Sequence, residues 1–92
     1  MSAEPIRRRL IVHGIVQGVF FRDGTRRCAE RHGVAGAARN RPDGTVEAIL
    51  EGEADAVAAV EAFIRTGPPD ARVDRVEASD EVPEGMTGFI IR

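Results

Sequence analysis

Lysine is absent from this 92-residue chain, whose thirteen basic residues are all arginine. That absence excludes a Schiff-base lysine and the phosphate-binding lysine of a P-loop. Tryptophan and tyrosine are also missing, and aromatic residues make up only 4% of the chain, so Val, Ile, Leu and Ala must form the core. No apolar run is long enough to span a bilayer, and we therefore predict no membrane partner.

A single cysteine, Cys28, cannot form an internal disulfide, which favours a reducing, cytoplasmic setting. Cys28 and His32 are four residues apart, a spacing that can place two metal ligands on one helix face. The only other histidine, His13, falls at the end of a predicted strand, so we predict no metal and no cofactor. We expect Cys28 to face a sheet and His32 to interact with a helix dipole at its C-terminal end.

Arginine is concentrated in the first half of the chain. Residues 1–41 hold nine arginines and three acidic residues, whereas residues 42–92 hold four and twelve, and the net charge is -2. An arginine side chain binds phosphate or carboxylate through two parallel hydrogen bonds. The basic half therefore favours an anionic ligand, although we expect the run Arg7–Arg9 to be solvated.

Hydrophobic periodicity and turn residues predict five strands and two helices. The predicted strands are Ile6–His13, Val34–Arg41, Thr45–Glu51, Val73–Ser79 and Thr87–Arg92, and the predicted helices are Phe21–His32 and Ala54–Thr66. The order is β-α-β-β-α-β plus a short C-terminal strand. This order is typical of the ferredoxin-like split βαβ fold of the α+β class, with one antiparallel sheet and two helices on one face. Apolar and polar residues alternate along the third strand, which indicates that this strand is half-buried. The chain length fits a single domain, residues 1–92. We expect residues 1–5 to form a loose N-terminus.

The predicted topology brings two segments to the same edge of the sheet. Strands one and two run parallel with strand three between them, so the loop Gly14–Val19 and Asn40 lie where these strands end. Two strand spacings are roughly 10 Å, a gap that one small ligand can bridge. Backbone N–H groups of a glycine-containing loop that opens a helix can converge on an anion, and Arg22 can add two hydrogen bonds. Spacing alone leaves open a tight turn followed by a surface arginine.

The run from Gly14 to Arg22, GIVQGVFFR, resembles the G-x-V-Q-G-V-x-F-R signature of the acylphosphatase family. The segment Gly36 to Asn40 with the following DGTV resembles the second motif of that family, and the GPP and closing FIIR segments are also similar to family patterns. The resemblance implies a metal-independent hydrolase of acyl phosphates in which Arg22 binds phosphate and Asn40 holds the attacking water. It also implies a phosphate cradle made of Ile15, Val16, Gln17, Gly18, Val19 and Phe20.

The chain departs from the family pattern at Ala37 and Ala38, where a large aromatic residue and a valine are usual. We expect this departure to weaken the packing that fixes Asn40 and to reduce activity. The expected partners are an acyl phosphate substrate and inorganic phosphate, which is product and competitive inhibitor, with no nucleic acid and a monomeric state.

Two other functions stay open for the same fold. An RNA-binding module is disfavoured because it needs exposed aromatic residues that stack on bases. A non-catalytic anion-binding domain, or one acting on carbamoyl phosphate within a larger maturation system, would keep the phosphate cradle.

Overall fold

The structure is a computed structural model that describes residues 4–92. Its elements are β1 (Ile6–Ile15), α1 (Phe21–His32), β2 (Ala35–Asn40), β3 (Val46–Gly52), α2 (Ala54–Thr66), β4 (Arg72–Glu81) and β5 (Phe89–Ile91). Both helices begin and end at the predicted residues, while β1 and β4 are longer than predicted. Residues 1–3 of the N-terminus that we expected to be loose lie outside the described residues.

The five strands form one sheet in the order β4-β1-β3-β2-β5. Pairing is antiparallel between β1 and β3, between β1 and β4, and between β2 and β3. The split βαβ arrangement is therefore confirmed, with β3 inserted between β1 and β2. The short strand β5 pairs in parallel with β2, so the complete sheet is mixed rather than wholly antiparallel. The reason is that the segment after β4 crosses from one edge of the sheet to the other and enters β5 in the direction of β2.

Both helices pack on one face of the sheet around an aliphatic core. The core residues on the strands are Leu10, Val12, Ala38, Val46, Ala48, Leu50 and Phe89, and those on the helices are Phe21, Cys28, Ala29, Val57, Val60 and Ile64. The three α2 residues recur with the spacing of one helical face. Cys28 is buried against the sheet, as predicted. Within residues 4–92, neither helix is both long and apolar enough to cross a membrane.

The opposite face of β3 is covered by paired charges, which the alternation along this strand did not predict. Every residue of β3 from Val46 to Glu51 is buried, so the prediction of a half-buried strand is wrong. One cause is that Glu47 accepts hydrogen bonds from Arg9 at 2.8 Å and from Arg39 at 2.7 Å. Burial raises the pKa of Glu47, but the hydrogen bonds from both arginines outweigh this effect and leave its pKa lowered.

The second cause is the segment after β4, which folds onto Glu51. The backbone N–H groups of residues 84, 85 and 86 each donate to the Glu51 carboxylate at 2.8 Å. Arg7 Nη1 donates to the same carboxylate at 3.2 Å. Arg7 is consequently only 8% exposed, so the expectation that this arginine is solvated is wrong. An arginine can be buried in this way because its charge is paired.

Candidate active site

An open cavity of about 280 Å³ lies at the edge of the sheet where β1 and β2 end. This volume is close to the lower limit of about 300 Å³ for pockets that hold small molecules. The lining residues are Val16, Gly18, Phe20, Phe21, Arg22, Asp23, Asn40 and Ile91. The fold thus brings Arg22 and Asn40, which are distant in sequence, to one concave site, as the predicted topology requires.

The loop between β1 and α1 has the backbone geometry of an anion-binding site. Gly18 and Phe20 have φ angles of 76° and 60°, and Val19 between them does not have a positive φ. Such alternation turns successive N–H groups towards a common point, where they can bind an anion. Phe20 is also the N-cap residue of α1, and the first turn of this helix adds positive partial charge beside the loop. The segment therefore suits a phosphate group.

Arg22 lies in the first turn of α1, and within residues 4–92 no Asp or Glu side chain forms a salt bridge with it. Its Nη1 donates to the main-chain oxygen of Arg92 at 3.0 Å. Two nearby arginines are paired instead, because Arg26 and Arg27 both contact the Asp23 carboxylate, at 2.6 Å and 3.0 Å. An anion in the cavity would therefore compete for Arg22 with one main-chain oxygen rather than with an Asp or Glu side chain.

The side chain of Gln17 connects the loop to the turn that follows Asn40. Gln17 Nε2 donates to the carbonyl oxygens of Arg41 at 2.8 Å and Thr45 at 2.9 Å. Asn40 itself is the last residue of β2 and pairs with Val46 of β3. The amide of Gln17 is thus engaged with the protein, and it holds the loop in place against the turn that follows Asn40.

Some predicted cradle residues lie beside the cavity rather than in its wall. Ile15 is the last residue of β1 and pairs with Arg72 of β4. Val19 is partly buried and packs against the core. Three lining residues were not predicted from the sequence, namely Phe21, Asp23 and Ile91.

The sequence carries no signal for Ile91 at the site. Ile91 reaches it only because β5 pairs in parallel with β2, where it lies opposite Ala38. That pairing joins two short segments far apart in the chain, so no local pattern reveals it.

Ala37 and Ala38 are both buried but face opposite sides of the sheet. Ala38 packs in the core beneath the helices, whereas Ala37 pairs with Ile49 and Ile90 across the helix-free side. The position where the family usually has an aromatic residue therefore lies outside the cavity. Any effect of these alanines on Asn40 must act through the backbone of β2, and the reduced activity stays a prediction.

The histidines and the cysteine do not converge. Within residues 4–92 no group of three His, Cys, Asp or Glu side chains is arranged to hold a metal ion. Cys28 is buried, whereas His32 is exposed in the last turn of α1. His13 Nε2 lies 2.6 Å from Glu77 Oε2 and 3.2 Å from Arg75 Nη2 on the β4 side of the sheet. The hydrogen bond with His13 lowers the pKa of Glu77.

Comparisons with known proteins agree with the fold and indicate one family. The family model described as Acylphosphatase matches residues 8–91. A protein named acylphosphatase from Rubrobacter xylanophilus is 54% identical and is covered over 84% of its length, with 99% of this chain aligned. The structure of an acylphosphatase from Coxiella burnetii superposes with a TM-score of 0.92 at 34% identity, covering 97% of this chain and 94% of that one. The crystal structure of the acylphosphatase from Bacillus subtilis superposes with a TM-score of 0.91 at 33% identity, covering 95% of this chain and 98% of that one.

The chain belongs to the acylphosphatase family and is a hydrolase of acyl phosphates. The comparisons do not favour the RNA-binding module or the non-catalytic anion-binding domain.

Proposed function

We propose that Arg22 and the backbone N–H groups of residues 15–20 bind the phosphoryl group of the acyl phosphate, and that Asn40 orients the attacking water. The observation that best supports these roles is that Arg22, without an Asp or Glu partner in the described chain, shares one cavity with Asn40 beside a loop of alternating φ. The guanidinium can add two charge-assisted hydrogen bonds to phosphate oxygens. The Asn40 carboxamide carries both donors and an acceptor, and can therefore bind water in one orientation.

The reaction is a direct transfer of the phosphoryl group to water. The oxygen of the oriented water forms a bond to phosphorus, and the bond from phosphorus to the bridging anhydride oxygen breaks. The electron pair of that bond leaves with the carboxylate, and the proton of the water passes to a phosphoryl oxygen. The products are a carboxylate and inorganic phosphate. Positioning and charge stabilisation supply most of the acceleration of such a transfer, which is what a cradle and one arginine provide.

We also propose that this reaction needs no metal ion. The leaving carboxylate has a conjugate acid with a pKa near ~4–5, as for Asp and Glu side chains, so it departs without protonation by a general acid. An alkoxide departing from a phosphomonoester is far more basic, and the site should hydrolyse such esters very slowly. Excess chelator should leave the rate on an acyl phosphate unchanged. A loss of activity that added metal restores would contradict this mechanism.

Inorganic phosphate should compete with the substrate, because both present a phosphoryl group to Arg22. A rate that many-millimolar phosphate leaves unchanged would contradict the assignment of the cradle. We further propose a monomeric, cytoplasmic protein, and the free thiol of Cys28 suits the reducing cytoplasm. Light scattering and cell fractionation test these two proposals.

Separate substitutions of Arg22 and Asn40 test the proposed division of roles. Arg22→Ala should lower kcat/KM by about 10²–10³-fold, the usual cost of removing one donor to developing charge, and should weaken phosphate binding. Arg22→Lys should restore little, because an ammonium group lacks the planar fork. Asn40→Ala should reduce kcat steeply while calorimetry still detects phosphate binding.

Arg31→Ala is the matched control for the arginine variants. Arg31 lies on the same helix but is exposed in its last turn, so this variant should keep wild-type kinetics. Circular dichroism and thermal melting show whether each variant remains folded. Normal turnover by Asn40→Ala, or full phosphate affinity in Arg22→Ala, would refute the proposed roles.

A further inference from the structure

Phe20 combines two features that are unfavourable in the free protein. Its φ of 60° is left-handed, and within residues 4–92 it is the one non-glycine residue with a positive φ. A bulky side chain pays a steric penalty in this conformation, which glycine would avoid. The ring is also 78% exposed, so it gains little packing in the free protein. The anion-binding geometry of the loop accounts for the backbone conformation but not for the exposed ring, and an exposed aromatic ring in a cavity wall suggests a contact that forms when the ligand binds.

The exposed part of the cavity wall is apolar. Phe20 and Ile91 both line the cavity, and Ile91 is 40% exposed. Two other apolar lining residues, Val16 and Phe21, are buried beneath. A ligand whose phosphoryl group is held by Arg22 and the cradle therefore presents its remaining atoms to Phe20 and Ile91.

We propose that Phe20 and Ile91 form an apolar rim that contacts the acyl group of the substrate and makes the enzyme prefer apolar, especially aromatic, acyl groups. This proposal rests on the proposed function, in which Arg22 binds the phosphoryl end. A flat aromatic acyl group can cover the Phe20 ring and remove apolar surface from water. An acetyl group has one methyl and can cover little of the ring, so both substrates share the phosphate contacts and differ at the rim.

Two probe substrates, benzoyl phosphate and acetyl phosphate, test the rim. For each variant the ratio of kcat/KM for benzoyl to that for acetyl phosphate is measured. Because both probes carry the same phosphoryl group, the ratio cancels any change that a substitution causes in the cradle itself. Phe20→Asn removes the ring with a residue that tolerates the left-handed conformation, and Phe20→Tyr retains the ring.

The wild-type enzyme should prefer benzoyl phosphate. Phe20→Asn should lower the ratio by about three- to tenfold, in keeping with the value of one aromatic contact, and Phe20→Tyr should keep the wild-type ratio. Ile91→Ala removes the other part of the rim and should lower the ratio in the same direction. Val82→Ala is the matched control, because Val82 is an 82% exposed apolar residue that does not line the cavity, and its ratio should not change.

The outcomes separate this inference from the proposed function. If wild-type protein hydrolyses neither probe, the proposed function is wrong, and so is the inference that the rim contacts an acyl group. If it hydrolyses both but prefers acetyl phosphate, or if Phe20→Asn and Ile91→Ala both keep the wild-type ratio, the rim does not exist and the proposed function stands. Should Phe20→Asn fail to fold, the Ile91→Ala ratio decides alone.

Discussion

Replacing Glu51 with alanine should destabilise the fold strongly, because this buried carboxylate joins three parts of the molecule. It belongs to the central strand β3, accepts a hydrogen bond from Arg7 of β1, and accepts three backbone N–H groups from the segment that leads to β5. The substitution would leave Arg7 short of a partner and release that segment. Since β5 carries Ile91, a wall of the cavity would loosen as well.

The magnitude follows from what remains after the substitution. Breaking a buried ion pair by removing one partner costs about 3–5 kcal/mol. Arg7 still contacts Glu81 at 2.9 Å and Glu84 at 3.6 Å, and the released N–H groups can bind water, so the lower end of that range applies. We therefore expect a loss of about 3 kcal/mol in the free energy of unfolding. In a domain of this size such a loss lowers the melting temperature by about 12–24 °C.

Urea unfolding followed by circular dichroism measures this loss. Glu84→Ala is the matched control, because it removes an exposed carboxylate that contacts the same arginine but leaves the backbone N–H groups in place. That exposed pair is worth at most about 1 kcal/mol. A Glu51→Ala variant within 1 kcal/mol of wild type, or as stable as Glu84→Ala, would show that the carboxylate does not anchor the segment.

The contribution of Glu51 should also depend on pH. Its pKa is lowered, first by the hydrogen bond from the Glu84 backbone N–H and further by those from Met86, Arg7 and Gly85, which together outweigh burial. The folded state thus binds this proton less tightly than the unfolded chain, where the pKa is about 4.3. The stabilisation is present above that value and is lost as the pH falls through the lower folded pKa. The stability difference between wild type and Glu51→Gln should therefore shrink below about pH 4.

Three further predictions concern the site and the sheet. Gln17→Ala should lower kcat more than it raises KM, because the cradle loses its connection to the turn after β2. Steady-state kinetics test this in a variant whose melting temperature is unchanged, and an unchanged kcat would contradict it. Gly36→Ala should prevent stable folding, because Gly36 has a φ of 149° and a Cβ there would lie 1.8 Å from the Ile49 carbonyl oxygen. The control Gly52→Ala adds a Cβ that makes only ordinary contacts, so this variant should melt near the wild-type temperature. Phosphate at about ten times its dissociation constant should stabilise the wild type by about 1.4 kcal/mol in thermal melting, and Arg22→Ala should lose this effect.

The bounds of the helices and the order of the elements along the chain could be predicted because their signals are local. Gly33 ends α1 in a left-handed conformation with a φ of 68°, as a glycine after a helix indicates. Val57, Val60 and Ile64 of α2 recur at helical spacing and are all buried in the core. From the order of elements and the split βαβ rule, the meeting of the β1–α1 loop with Asn40 followed directly.

The charges on the helix-free face could not be predicted in the same way. Glu47 and Glu51 alternate with apolar residues, a pattern that normally marks an exposed strand face. Glu51 is buried because residues 33 to 35 positions later fold over it, and no local pattern encodes that contact.

The sequence by itself determined the order of the elements along the chain, the placement of Arg22 and Asn40 at the same edge of the sheet, and the family to which the chain belongs. These follow from short-range periodicity, from glycine and proline at turns, and from a motif of nine consecutive residues. Only the tertiary structure decided that Arg22 has no Asp or Glu partner among residues 4–92, that Phe20 is exposed at the cavity, and that Ile91 completes the cavity wall. Each of these depends on which distant side chains and strands come into contact, and such contacts arise from packing and from the pairing of β5 with β2 rather than from local sequence preference.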